Sequence, residues 1–324
     1  MAEAPILQVE HLQKYFTVGR KAVLHAVDDV SFTMEKGETL GLVGESGCGK
    51  TTLGRTLLKL YKPDGGKILY QGQDITRVSA REQRKLYSRM QMIYQDPYAS
   101  LNPFMTIGEI VSEGLTIQKG TAKALAPTRG ERDEIVYAML ERVGLNREHA
   151  NRFPHEFSGG QRQRAGIARA LAVNPEFVVC DEAVSALDVS VQAQIINLLM
   201  DLQESMGLTY LFIAHDLSVV RCISDRVAVM YMGKMVEIAE TRELFEHPVN
   251  PYTIGLMQAV PEADPDFEKG KTYQVMTGEI KTPVNPKPGC RFADRCPRAT
   301  EQCRREDPPL TEVAPRHQCA CFHP

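Results

Sequence analysis

The sequence predicts an α/β fold: a mixed but largely parallel sheet with helices on both faces, an antiparallel edge sheet and a helical subdomain. Three observations carry the prediction. Short apolar, strand-like runs alternate with stretches of helical spacing from residue 39 to about 260. Residues 6 to about 37 alternate apolar and polar instead, as antiparallel strands at a sheet edge do. Between a strand-like and a helix-like run, Gly44-Glu45-Ser46-Gly47-Cys48-Gly49-Lys50-Thr51 fits the phosphate-loop pattern G-x-x-x-x-G-K-[ST] at every fixed position.

The elements follow in order. Ile6 to Glu10 and Val23 to Met34 read as edge strands, and Thr39 to Val43 as the buried strand before the loop. Thr52 to Leu60 has the leucine spacing of a helix. Pro63-Asp64-Gly65-Gly66 is a turn into the strand Lys67 to Tyr70, and Met90 to Tyr94 is a further strand ending at Gln95. From about 104 to 172 the pattern is helical, broken by the polar stretch Gln118 to Asp133, which reads as a loop. Strand-like runs return at Phe177 to Cys180, Tyr210 to Ala214 and Val227 to Met230, with a helix from Val189 to Met206 between the first two. A boundary is expected at about residue 260, where Pro261 to Asp266 opens a Pro-rich, poorly periodic tail, giving a nucleotide domain over 1–260 and a Cys-rich module over 261–324.

Composition narrows the class. The 324 residues, 43% hydrophobic and 24% charged, are those of an ordinary globular protein. No apolar run approaches the roughly 18 residues of a membrane span. Met1-Ala2-Glu3-Ala4-Pro5 lacks the basic stretch and apolar core of a secretory signal, which points to the cytoplasm. A net charge of −3 makes no global electrostatic case for nucleic acid.

A glycine-rich turn at a helix N-terminus lets successive backbone N–H groups converge on phosphate oxygens, where the helix dipole also favours an anion. Ser46, Gly47, Cys48, Gly49 and Thr52 would supply that cradle. Lys50 would reach the β- and γ-phosphates of a nucleotide and the Thr51 hydroxyl would ligate Mg²⁺. Cys48 lies inside the loop, so alkylating it is expected to block nucleotide binding. Phe177 to Cys180 closes on Asp181 and Glu182. Beside a phosphate loop, such an Asp helps hold Mg²⁺, and the following Glu182 would face the γ-phosphate and polarise an attacking water. Ser158-Gly159-Gly160-Gln161 opens another helix and forms a second anion site, which one chain with one Mg-nucleotide does not itself need. A second subunit would need it.

Ser158 to Arg164 resembles the signature sequence of ABC-type ATPases, and the rest of that family's set stands in order over about residues 6 to 260. By this resemblance Phe16, with Tyr15 as a rival, stacks on adenine. Gln95 touches Mg²⁺ and water and marks the loop that contacts the transporter. Asp188, in Ser185-Ala186-Leu187-Asp188, belongs to the loop that crosses to the partner, and His215 is the switch histidine on the γ-phosphate. The resemblance implies two such domains head to tail, each ATP held between one phosphate loop and the partner's Ser158-Gly159-Gly160, with Glu182 and His215 catalytic. Ala183 stands where the family usually has Pro.

Gln95 to Pro103, Phe153 to Ser158 and His247 to Thr253 resemble the ATP-binding subunits of bacterial dipeptide, oligopeptide and nickel importers. The implied partners are a second ABC ATPase subunit of paralogous sequence, two membrane permease subunits and an extracytoplasmic peptide-binding protein, at the cytoplasmic face of the membrane. Nickel or another small solute is the rival cargo. A soluble, non-transport ABC ATPase is the rival class, and an iron–sulfur redox enzyme with a nucleotide domain is a further one.

Five of the eight cysteines lie between Cys290 and Cys321 in a proline-broken tail with little apolar core. Metal would supply the missing constraint, and four thiolates suit zinc or an iron–sulfur cluster, with unligated thiols as the alternative. The tails of some peptide-importer ATPases carry a [4Fe–4S] cluster. This resemblance implies Cys290, Cys296, Cys303 and Cys321 as ligands, with Cys319 as the alternative last one.

Overall fold

The computed structural model describes residues 4–117, 128–258 and 281–324. The boundary expected at about 260 and most of the expected loop after 117 lie outside the described residues. The chain divides into two compact units: residues 1–34, 39–76 and 214–324 form the first, and 35–38 with 77–213 the second.

In the first unit, β1 (Leu7–Gly19) and β2 (Ala22–Met34) pair antiparallel, Val9 opposite Phe32. β4 (Gly65–Tyr70) and β5 (Gln73–Asp74) complete a four-stranded sheet in the order β2-β1-β4-β5. Leu7, Val9, Leu12, Phe32 and Met34 turn inward, as the alternation predicts. β3 (Thr39–Val43) is buried along its whole length and runs parallel to β9 (Arg226–Tyr231), Leu42 opposite Ala228. That double-sided burial is why both strands read as unbroken apolar runs. β3 leads through the phosphate loop into α1 (Lys50–Leu57), and α7 (Leu217–Ile223) precedes β9.

The C-terminal part of this unit is more regular than its sequence suggests. β10 (Lys234–Glu240) pairs antiparallel with β9 and is followed by α8 (Thr241–Glu246) and α9 (Pro251–Gln258). After α10 (Glu301–Arg305), β11 (Thr311–Ala314) and β12 (His317–Cys319) form a hairpin whose second strand pairs with β10, Cys319 opposite Glu237. The cysteine-rich stretch thus shares a sheet with the nucleotide fold.

In the second unit, β6 (Met90–Ile93), β7 (Phe177–Asp181) and β8 (Thr209–Ile213) run parallel in that order. Around them lie α2 (Ala80–Arg89), α3 (Ile107–Ile117), α4 (Arg129–Arg142), α5 (Gly159–Leu171) and α6 (Val189–Met206). α4 begins inside the stretch expected to be loop. Thr128 accepts from the Glu131 N–H and the Glu131 carboxylate accepts from the Thr128 N–H, a reciprocal cap that outweighs the polar composition. Among the described residues no helix is long and apolar enough to cross a membrane.

Candidate functional site

The predicted site residues divide between the units. Phe16, the phosphate loop and His215 belong to the first; Gln95, Ser158 to Gln161, Asp181, Glu182 and Asp188 belong to the second.

The loop has the build of a phosphate cradle. Gly49 caps α1 in the left-handed region at φ 112°, with no side-chain cap and no acidic residue in the first turn. A Cβ there would sit 2.0 Å from the Ala26 carbonyl oxygen, so only glycine lets the loop lie against β2. The first N–H groups of such a helix have no intrahelical partner and face an incoming anion. Lys50 is buried, and its ammonium spans the loop to the carbonyls of Gly44 at 2.7 Å and Glu45 at 3.1 Å. The cradle, the uncapped helix and the buried cation fit a nucleotide phosphate. Cys48 is buried beneath, its thiol 3.8 Å from Lys50 Nζ and its pKa raised by burial.

Residues from beyond the motif hold this loop. The Glu45 N–H donates to the Tyr252 hydroxyl at 3.0 Å. Arg295 donates from Nη1 and Nη2 to the two Glu45 oxygens at 2.9 and 3.0 Å. Arg291 meets Asp28 at 2.5 Å, and Asp28 also accepts from Tyr15 at 2.6 Å. Tyr15 stacks on His25 with ring centroids 4.1 Å apart, so its face is taken. Phe16 meets Tyr61 edge-on and carries the Lys14 ammonium 5.0 Å from its centroid, so ring contacts do not separate the two rivals.

In the second unit, Asp181 is buried at the end of β7, and Glu182 follows at φ 46°, a strained left-handed position for a side-chain-bearing residue. Gln95 Nε2 donates to Glu182 Oε2 at 2.8 Å, so these two predicted residues are brought together. Ser158 caps α5 reciprocally with Gln161, at 3.0 and 3.4 Å, and again no acidic side chain occupies the first turn. A Cβ on Gly160 would meet Val191 Cγ1 at 2.7 Å, which is why α5 and α6 approach so closely. Asp188 caps α6, and the hydroxyl and N–H it accepts hold its carboxyl below the usual range. His215 is exposed after β8.

The metal centre expected in the tail is corrected. Among the described residues no group of three or more His, Cys, Asp or Glu is placed to hold a metal ion. Cys290, Cys296, Cys303 and Cys321 line one small cavity with Phe292 and Phe322, Cys303 buried and the other three half-buried. Burial pushes Cys290 up to about 11 and also raises Cys296 and Cys321. Cys319 is buried beside Asn250. The constraint assigned to metal comes instead from side chains: His317 to Glu237 at 2.8 Å, Asn250 to the Ala320 carbonyl at 3.2 Å, and the two arginine pairs above.

Comparison with known proteins agrees with this geometry. Residues 27–185 match the ABC transporter family, and residues 236–303 match the oligopeptide/dipeptide transporter C-terminal region. The chain is 56% identical to the oligopeptide transport ATP-binding protein OppF of Bacillus subtilis, over 83% of this chain and 87% of that protein. It is 50% identical to AppF of the same organism, over 98% and 96%. Neither name speaks of iron or sulfide. Among solved structures, the ATP-binding cassette MJ0796, a post-hydrolysis dimer with ADP and Pi, superposes with a TM-score of 0.65. That match covers 73% of this chain and 99% of MJ0796 at 26% identity.

Proposed function

The chain belongs to the ABC transporter family, in the branch with the oligopeptide/dipeptide transporter C-terminal region, and we propose that it hydrolyses ATP to power import of di- or oligopeptides. The observation that carries the ATPase part is the glycine-cradled, uncapped helix N-terminus with Lys50 buried in its loop. Peptide as cargo is supported by the oligopeptide transport relatives.

In this reading Ser46 to Thr52 bind the phosphates, with Lys50 supplying charge, and Phe16 stacks on the base. Thr51, Gln95 and Asp181 suit Mg²⁺, which when bound offsets phosphate charge. Glu182 orients and polarises the attacking water, and Gln95 sets the direction of its carboxylate. His215 donates to the γ-phosphate. Ser158, Gly159, Gly160 and Gln161 serve the partner cassette's ATP, and Asp188 lies in the loop that crosses to it. ATP favours the closed dimer through contacts that only closure makes, and hydrolysis removes them.

The complex contains permeases, which place this subunit at the cytoplasmic face of the membrane. The second cassette is a paralogue, and an extracytoplasmic peptide-binding protein delivers cargo. The test is ATP hydrolysis by the chain assembled with its permease pair and second cassette in vesicles, with the peptide-binding protein supplied. Peptide-stimulated turnover that Lys50→Ala abolishes is expected. Stimulation by nickel and not by peptide would overturn the cargo, and turnover indifferent to the permeases would overturn the transport role.

A further inference from the structure

Glu45 is an odd residue to find in a loop that must receive a triphosphate. It is the first variable position of the phosphate-loop motif, and its side chain is only 16% exposed. A carboxylate this close to incoming phosphate, with little water to screen it, opposes binding unless something neutralises it. Arg295 does so from 250 positions away. Its guanidinium grips both carboxylate oxygens, at 2.9 and 3.0 Å, while its own side chain is 7% exposed. The fork is held in turn: Nη1 also donates to the Tyr231 hydroxyl at 3.3 Å, and the rings of Tyr231 and Phe292 each lie 5.8 Å from its centre. Tyr231, Tyr252 and Phe292 pack on one another with centroids 4.5 to 5.4 Å apart, and Tyr252 takes the Glu45 N–H. Glu45 is therefore fixed at backbone and side chain by residues that lie outside the loop. A two-point arginine–carboxylate pair sets both distance and plane, which a lysine point charge does not.

We infer that Arg295 is a positioning residue for nucleotide binding that acts by cancelling the Glu45 charge in the phosphate loop. The C-terminal region is then part of the nucleotide site's architecture. This rests on the ATPase reading above and adds a residue that the motif does not contain. Arg295 acts through Glu45 and touches no phosphate itself.

Charge cancellation and mere bracing predict opposite responses to removing the second partner. The test uses the full chain, with MgATP affinity read from a fluorescent ATP analogue and folding followed by thermal melting. Arg295→Met keeps the apolar stem against Tyr231 and Phe292 but leaves Glu45 unpaired. It is expected to weaken binding about tenfold. Removing the stranded carboxylate as well, in Glu45→Gln/Arg295→Met, is expected to bring affinity back to within about threefold of wild type. Unchanged affinity in Arg295→Met, or a double variant no better than the single, overturns the inference. Should Arg295→Met fail to fold, Glu45→Gln alone decides: a tightening supports charge cancellation, and any other result overturns it. A wild-type chain that does not bind MgATP would sink the ATPase reading and this inference together. A wild type that binds equally with Arg295→Met sinks this inference alone.

Discussion

Gln95 and Glu182 stand 87 positions apart in the chain and share one hydrogen bond, Nε2 to Oε2 at 2.8 Å. The bond joins Gln95, two residues past β6, to Glu182, the residue after β7, and the two strands are parallel neighbours, so the sheet sets its length. Glu182 reaches it from a left-handed backbone at φ 46° with its N–H on the Ile213 carbonyl at 2.9 Å. A general base contributes about 10² to 10⁴ in rate, so Glu182→Gln should cut ATP turnover by that factor and leave nucleotide affinity within a few-fold. Gln95→Ala keeps the base but frees its direction, and about a 10- to 100-fold loss in kcat is expected. Steady-state hydrolysis beside equilibrium binding separates the two effects. Turnover unaffected by Glu182→Gln would remove that residue from the chemistry.

Gly49 is the tightest point of the phosphate loop. Alanine there meets a carbonyl oxygen at 2.0 Å and must also adopt φ 112°. Strain of that kind costs about 1–3 kcal/mol from the backbone alone. Gly49→Ala is therefore expected to lower the urea midpoint and to abolish MgATP binding. An alanine variant that binds normally would mean that the loop does not rest on β2 at Ala26.

Cysteine reactivity separates by burial. Cys222 is exposed, whereas Cys48 and Cys180 are buried with thiols raised by loss of solvent. Thiolate is the reactive form, so iodoacetamide at neutral pH should modify Cys222 first and Cys48 slowly. Alkylation of Cys48, once it occurs, should abolish nucleotide binding, and MgATP should slow it further. Mass spectrometry of timed digests reads the order. Equal rates at Cys48 with and without MgATP would dissociate the thiol from the site.

How much of this was legible follows the distance between partners. The phosphate loop, its strand and its helix were readable because pattern and periodicity are local, and Leu40, Leu42, Leu53 and Leu57 are indeed core. Glu182 was readable from the carboxylates that close a strand-like run and Gln95 from the resemblance, but the bond between them was not. The hold on Glu45 was invisible: Tyr252 and Arg295 lie more than 200 positions away, and the stretches around them were singled out for other reasons, with nothing in them pointing to the loop. The tail was misread for the same reason. Cysteine spacing does not tell a ligand from a buried thiol, and what orders the stretch is contacts such as that between Glu237 and His317, 80 positions apart. Strand β10 was missed although it pairs with β9, and β11 and β12, at four and three residues, are too short to show a period.

That last contact makes its own prediction. His317 and Glu237 are 1% and 0% exposed, and the His317 ring lies 2.8 Å from Glu237 Oε1 through Nε2. The same carboxylate accepts the Val249 and Asn250 N–H groups at 2.9 and 3.1 Å. It thus ties β10 to β12 and to the start of α9, whose Tyr252 holds the phosphate loop. Removing one partner of a buried polar pair leaves the other desolvated and short of a bond, a cost of about 3 kcal/mol. His317→Ala should therefore lower stability by that amount in urea unfolding. Hydrogen exchange should rise first in residues 311–319 and 249–252, ahead of β6 to β8. Uniform loss of protection, or no change in the midpoint, would show that β12 is held by its backbone pairing alone.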